Sequence, residues 1–124
     1  MLAKGEFTVQ LEPQKDEAFA AGRLTIDKIY SGDLEGKGKG QMLSHRSAVE
    51  SSAAYVAIEK VDGVLAGKQG SFYLQHSGTV ANGQQSLTIQ IIPDSGEGDL
   101  IGITGSLSIT IQGGIHFYEL NYQF

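Results

Sequence analysis

The sequence predicts an all-β protein, an eight-stranded antiparallel up-and-down β-barrel. Three observations lead there. Extended segments carry apolar residues at every second position, the pattern of a strand with one buried face. Tight turns separate these segments, in a chain of 124 residues with 17 Gly and only 2 Pro. Three of the turns, each taken as the centre of a hairpin, assign apolar partners to one common face.

The first strand is "KGEFTVQLE", in which Phe7, Val9 and Leu11 alternate with polar neighbours. "EPQKDEAFAAG" follows as a polar connection with room for a short helical turn. "RLTIDKIYSGDLEG" and "GKGQMLSH" then form a hairpin. In its first arm Leu24 and Ile26 set the parity that turns Lys28 and Tyr30 inward, although Ile29 favours the reverse. "AAYVAIEKVDGVLAG" is the fourth strand, where Lys60 and Asp62 prefer water and leave Tyr55, Ala57, Glu59 and Val61 inside. "KQGSFYLQHSGTV" is the fifth, and it puts His76 on the same side as Phe72 and Leu74. "QSLTIQIIP", "ITGSLSITIQ" and "GIHFYELNYQF" complete the set. No stretch reads as an interdomain linker, so residues 1–124 are expected to form one domain.

Turn chemistry fixes the register. With Ala66 and Gly67 at the centre of a two-residue hairpin, Val61 faces Phe72, Glu59 faces Leu74 and Ala57 faces His76. Asn82-Gly83, the strongest short-range turn signal, sets His76 opposite Ile89 and Leu74 opposite Ile91. Gly113-Gly114 pairs Ile111 with His116, Ile109 with Tyr118 and Leu107 with Leu120. Slipping any of these hairpins by one residue would expose its whole apolar set.

An up-and-down sheet with one apolar face buries that face, and removes its edges, by closing into a barrel. Eight strands leave an interior that side chains fill or that holds one small ligand. Polar residues are expected in that interior. Glu59 and His76 are diagonal neighbours about 7 Å apart at their Cα atoms, within reach of a hydrogen bond or a bridging water. Lys28 is a second partner for Glu59. The connections after the first, third, fifth and seventh strands share one end of the barrel, which holds the two longest ones, residues 12–21 and 46–52. His45, His76 and His116 all map to that half, which is read as the mouth of a pocket with Glu59 near mid-depth.

Composition narrows the partners. Nine Lys+Arg against fourteen Asp+Glu give a net charge of -5 with the basic residues dispersed, so nucleic acid is not expected as a partner. The chain has no Cys, and so no disulfide framework, thiolate metal site or cysteine nucleophile. Its start lacks the apolar run of a signal peptide, and no later stretch is long enough for a membrane span. A cytoplasmic protein without membrane contact is expected.

Several motifs are weighed and set lower. G-x-L-x-G occurs at "GDLEG", "GVLAG" and "GDLIG", where Gly suits sharp strand corners and Leu plugs the barrel end. "GKGKG" resembles a phosphate cradle, but the strand-loop-helix context such a cradle needs is absent. The three histidines and Glu59 raise a cupin-like metal site, yet they come from separate strands without H-x-H spacing, and no metal is expected. No G-x-S-x-G elbow supports a Ser-His-Asp enzyme.

"DKIYSGDLEGKGKGQML", "YVAIEKVDGVLAGKQGSFYLQHSG", "IPDSGEGDLIGITGSLSI" and "GGIHFYELNY", in this order and spacing, resemble a bacterial family of small proteins of unknown function whose barrel is similar to plant allene oxide cyclase. The resemblance spans nearly the whole chain. It implies an allene oxide cyclase-like eight-stranded barrel with a central cavity, assembled as a homo-oligomer. That cyclase uses a glutamate in an apolar cavity to delocalise charge, a part Glu59 could play, while the cyclase's cavity cysteine has no counterpart in this chain.

Three readings stay open. The first is a barrel that binds a small apolar ligand, with Lys28, Tyr30, Tyr55, Phe72, Leu74, His116 and Tyr118 around it. The second is a cofactor-free isomerase or cyclase, with Glu59 as base or electrostatic stabiliser, His76 orienting it, and Tyr118 or His116 bonding the ligand at the mouth. The third is a structural or oligomeric barrel whose Glu-His pair only fixes the fold, with Val56, Ile58, Tyr73 and Phe117 outward as an apolar patch. On the first two, Glu59→Gln is expected to keep the fold and weaken binding or turnover.

Overall fold

Period-two alternation becomes strand along almost the whole chain. The computed structural model describes residues 1–16 and 22–124. Its strands are β1 (Leu2–Pro13), β2 (Gly22–Gly32), β3 (Leu34–Arg46), β4 (Ala53–Leu65), β5 (Lys68–Ala81), β6 (Gln84–Ile91), β7 (Glu97–Gly98), β8 (Thr104–Gln112) and β9 (Ile115–Gln123). The eight long strands close into an antiparallel up-and-down barrel in chain order, with β9 returning to β1. β7, two residues long, is an addition to the expected eight and pairs with the start of β5.

The three expected registers all form, Glu59 opposite Leu74, His76 opposite Ile89 and Ile109 opposite Tyr118 among their pairs. Their turns share one cause. Ala66 and Gly67, Asn82 and Gly83, and Gly113 and Gly114 all have positive φ, the primed turn whose twist matches its strands. The first hairpin differs from expectation in where it turns. β2 ends at Gly32 instead of running on to Gly36, because Gly32 takes φ 100° and Asp33 leaves the sheet to accept a hydrogen bond from the Lys4 amide at 2.8 Å. The helical turn expected between residues 12 and 22 falls on 17–21, outside the described residues.

The two ends of the barrel are built differently. At one end Leu34, Leu65 and Leu100, the leucines of the three G-x-L-x-G copies, are each 1% exposed and pack with Ala3, Phe72 and Ile103. Burying each leucine is worth about 1.5–3 kcal/mol. The flanking glycines serve two purposes. Gly67 and Gly102 take positive φ, while Gly36 and Gly63 let two strands approach so closely that a Cβ on Gly36 would stand 2.7 Å from the Gly63 Cα. The chain between β6 and β8 crosses this end and carries Leu100 into it.

The wall is also uneven. β8 and β9 share nine residue pairs, whereas among the described residues β6 and β8 share one, Gln90 with Ser106. From there toward the opposite end the two strands run on without pairing to each other. Among the described residues no helix is long and apolar enough to cross a membrane.

Candidate functional site

Three strands deliver one charged cluster. Inward parity brings Lys28 from β2, Glu59 from β4 and His76 from β5 together inside the barrel, where each is under 8% exposed and Glu59 is fully buried. Lys28 Nζ donates to Glu59 Oε1 at 2.9 Å, and His76 Nε2 bonds the same oxygen at 2.9 Å. The Tyr30 hydroxyl donates to Oε2. Both carboxylate oxygens are therefore taken, and among the described residues no buried side-chain nitrogen or oxygen lacks a partner.

The electrostatics of the cluster set its protonation. Burial is the largest single influence on Glu59 and pushes its carboxyl up, but the His76 hydrogen bond, the Lys28 charge and the bonds from Tyr30 and Lys28 together outweigh it. The carboxyl is held below its usual 4.5 and is ionised at neutral pH. Burial, followed by the neighbouring Glu59 charge and its hydrogen bond, raises the Tyr30 hydroxyl well above its ordinary value, so this phenol stays a donor. Lys28 is further held over the Phe7 ring, its Nζ 4.8 Å from the centroid, a cation–π contact.

Room for this cluster comes from β3, and the sequence signal was the "GKGKG" run. Gly36, Gly38 and Gly40 all face inward while Lys37 and Lys39 face water. Gly38 lies opposite Lys28 in β2 and opposite Val61 in β4. A Cβ on Gly38 would overlap the Glu59 carboxylate and crowd a Tyr30 ring carbon at 3.0 Å. Glycine at period two, read as one face of a strand without side chains, is the feature that points to this pocket.

Above the cluster lies a cavity of about 530 Å³, open at the end where the β1–β2, β3–β4, β5–β6 and β8–β9 connections gather. That volume suits a small organic molecule. Val9, Ile26, Leu87 and Ile109 give it apolar walls. Its polar groups among the described residues are Lys28, Tyr55, His76, Gln85 and His116, the last tilted against the Phe7 ring with centroids 5.1 Å apart. Burial raises the Tyr55 hydroxyl above its ordinary value, and the ring fits because Gly78 opposite it has no side chain.

The remaining candidate residues sit elsewhere. Glu59 and Tyr30 are not on the cavity wall; Lys28 and His76, both bonded to the Glu59 carboxylate, are. Phe72 and Leu74 are fully buried in the core below. Tyr118, expected near the mouth, reaches toward the closed end instead: its hydroxyl donates to the Ser31 carbonyl at 2.9 Å and accepts from the Leu34 amide at 2.9 Å, over a gap left by Gly5. His45 lies next to the end of β3 at the mouth but is exposed on the outer surface, so the three histidines do not converge. Among the described residues no group of three His, Asp or Glu side chains could hold a metal ion. Of the four outward candidates, Val56 and Ile58 are exposed, while Tyr73 and Phe117 are partly covered.

Comparison with known proteins agrees with this architecture. None of the curated proteins matches the chain. A crystal structure of a protein of unknown function from the DUF3224 family of Shewanella oneidensis MR-1 superposes with a TM-score of 0.95 at 43% identity, covering 100% of this chain and 96% of that one. The model of the family described as "Protein of unknown function (DUF3224)" matches residues 3–122, from within β1 to within β9. The chain belongs to the DUF3224 family.

Proposed function

We propose that the protein binds a small, mostly apolar molecule in the open half of its barrel. The observation that carries this reading is the pairing of an apolar-walled cavity of about 530 Å³ with a floor whose charges are already balanced, Glu59 against Lys28, with the His76 ring hydrogen-bonded to the same carboxylate. A barrel that needed only a core could fill this half with side chains as it fills the other. Here a network of charged groups is buried beneath a space open to solvent, and such networks cost desolvation that packing alone does not require.

Isomerase chemistry is the second reading, supported by an imidazole that lies on the cavity wall and is oriented by a carboxylate behind it. In that reading Lys28 and His76 touch the substrate and Glu59 positions them. A cytoplasmic location and a homo-oligomer belong to the proposal as well. The first is supported by the cysteine-free, acidic composition, and the second by the exposed Leu43, Val56 and Ile58 on the outer face of β3 and β4.

Native mass spectrometry of the purified protein, followed by titration with an environment-sensitive apolar dye, tests the binding reading. A retained small molecule, or saturable dye binding displaced by apolar compounds, is the expected result. Absence of both would return the cluster to a purely structural role.

A further inference from the structure

We propose that the cavity selects neutral molecules with one acceptor oxygen, a ketone, aldehyde or ester carbonyl on an apolar chain, and that Lys28 Nζ is the group that binds this oxygen. The inference rests on the binding reading above and specifies the class of ligand. It starts from a count of donors. An ammonium offers three N–H groups, and among the described residues Lys28 uses one, to Glu59 Oε1 at 2.9 Å. The side chain is 6% exposed and sits on the cavity wall, so its unspent donors have the cavity as their outlet. Phe7, below the ammonium at 4.8 Å, offers only a ring face.

Charge then decides between a carbonyl and a carboxylate. Glu59 is ionised and fully buried, and among the described residues Lys28 is the one Lys or Arg on the cavity wall. Each charge balances the other. A ligand carboxylate would bring a second anion to a wall whose Lys28 ammonium is already matched by Glu59, and the remaining Lys and Arg side chains near this end are not on the wall: Arg23, for example, is engaged by Asp16 at 2.8 Å. A neutral carbonyl accepts from Nζ without changing the sum of charges. It therefore gains a charge-assisted hydrogen bond and avoids burying an unbalanced ion.

The experiment compares three probes of equal length at about pH 8, above the usual imidazole range: octane, methyl hexyl ketone and octanoate, each titrated into wild type and Lys28→Met by isothermal calorimetry or ligand-observed NMR. In wild type the ketone binds about tenfold or more tightly than octanoate. In Lys28→Met the ketone loses about tenfold while octane is unchanged, the loss expected for one hydrogen bond to a charged donor. Because Lys28→Met leaves Glu59 without its cation and can fail to fold, a second readout uses wild type alone. The carbonyl carbon of labelled ketone should move downfield on binding beyond its position in water, the signature of an ammonium donor. Octanoate binding more tightly than the ketone, or a bound carbonyl resonance at its value in hydrocarbon, overturns the proposal. Octane binding with no preference for the ketone does so while leaving the binding reading intact, and failure of all three probes to bind overturns both.

Discussion

The two ends of the barrel solve the same packing problem with opposite means. At the closed end three leucines from three turns meet in one buried cluster. At the mouth end the strands continue past the core, and the space between them is bounded below by Lys28 and His76, with Glu59 and Tyr30 bonded behind them. The closed end contributes stability through apolar area, whereas the cluster defines a boundary: it marks where the core stops and the cavity begins. A single barrel thus keeps rigidity and accessibility apart along its axis.

Three substitutions would break or sharpen this contrast. The largest effect is expected from Glu59→Gln, which leaves the Lys28 ammonium buried without its counter-charge. This departs from the sequence-based expectation that the fold would tolerate it. Chemical denaturation should show a loss of about 3–5 kcal/mol. The pH dependence carries the same information. Because the folded protein holds the Glu59 carboxyl below its usual 4.5, its contribution is complete above that value and is lost as pH falls through the lower folded-state value. Wild type should therefore lose more stability than Glu59→Gln between about pH 5 and pH 3; parallel acid curves would show that the carboxylate is not stabilised by its partners.

Leu65→Ala, at the closed end, removes a side chain that is 1% exposed and should cost about 2–5 kcal/mol. Apolar dye binding at the mouth should be unchanged in the folded fraction. A matching loss of dye affinity would mean that the two ends are coupled. The smallest stability effect is expected for Ile111→Ser on the cavity rim, where Ile111 is 62% exposed: within about 0.5 kcal/mol in denaturation. Dye affinity should still fall by about two- to fivefold through lost apolar contact. A large stability loss there would show that the rim belongs to the core.

Much of this was legible in the sequence because β-structure makes parity and turns strict. "AG", "NG" and "GG" fixed three registers, and these in turn put Glu59 beside His76. Lys28 followed from the parity of Ile26, and Ile29, which argued against it, is simply exposed on the outer surface. Other features depended on depth along a strand, which parity does not give. Tyr118 faces inward as expected, yet its ring points toward Leu34 and away from the mouth. His45 lies at the expected height but on the outer face. The role of Gly38 was hidden because an absent side chain becomes informative only once the carboxylate filling its place is seen.

The single residue pair joining β6 to β8 has a consequence for time as well as shape. Amides along the unpaired stretch toward the mouth have no partner strand across that gap, so their protons should exchange with solvent earlier than those between β8 and β9. If the cavity holds a molecule between Leu87 and Ile109, as proposed, this gap offers it a sideways exit, and its residence time would then be set by side-chain contacts instead of by the unfolding of a strand.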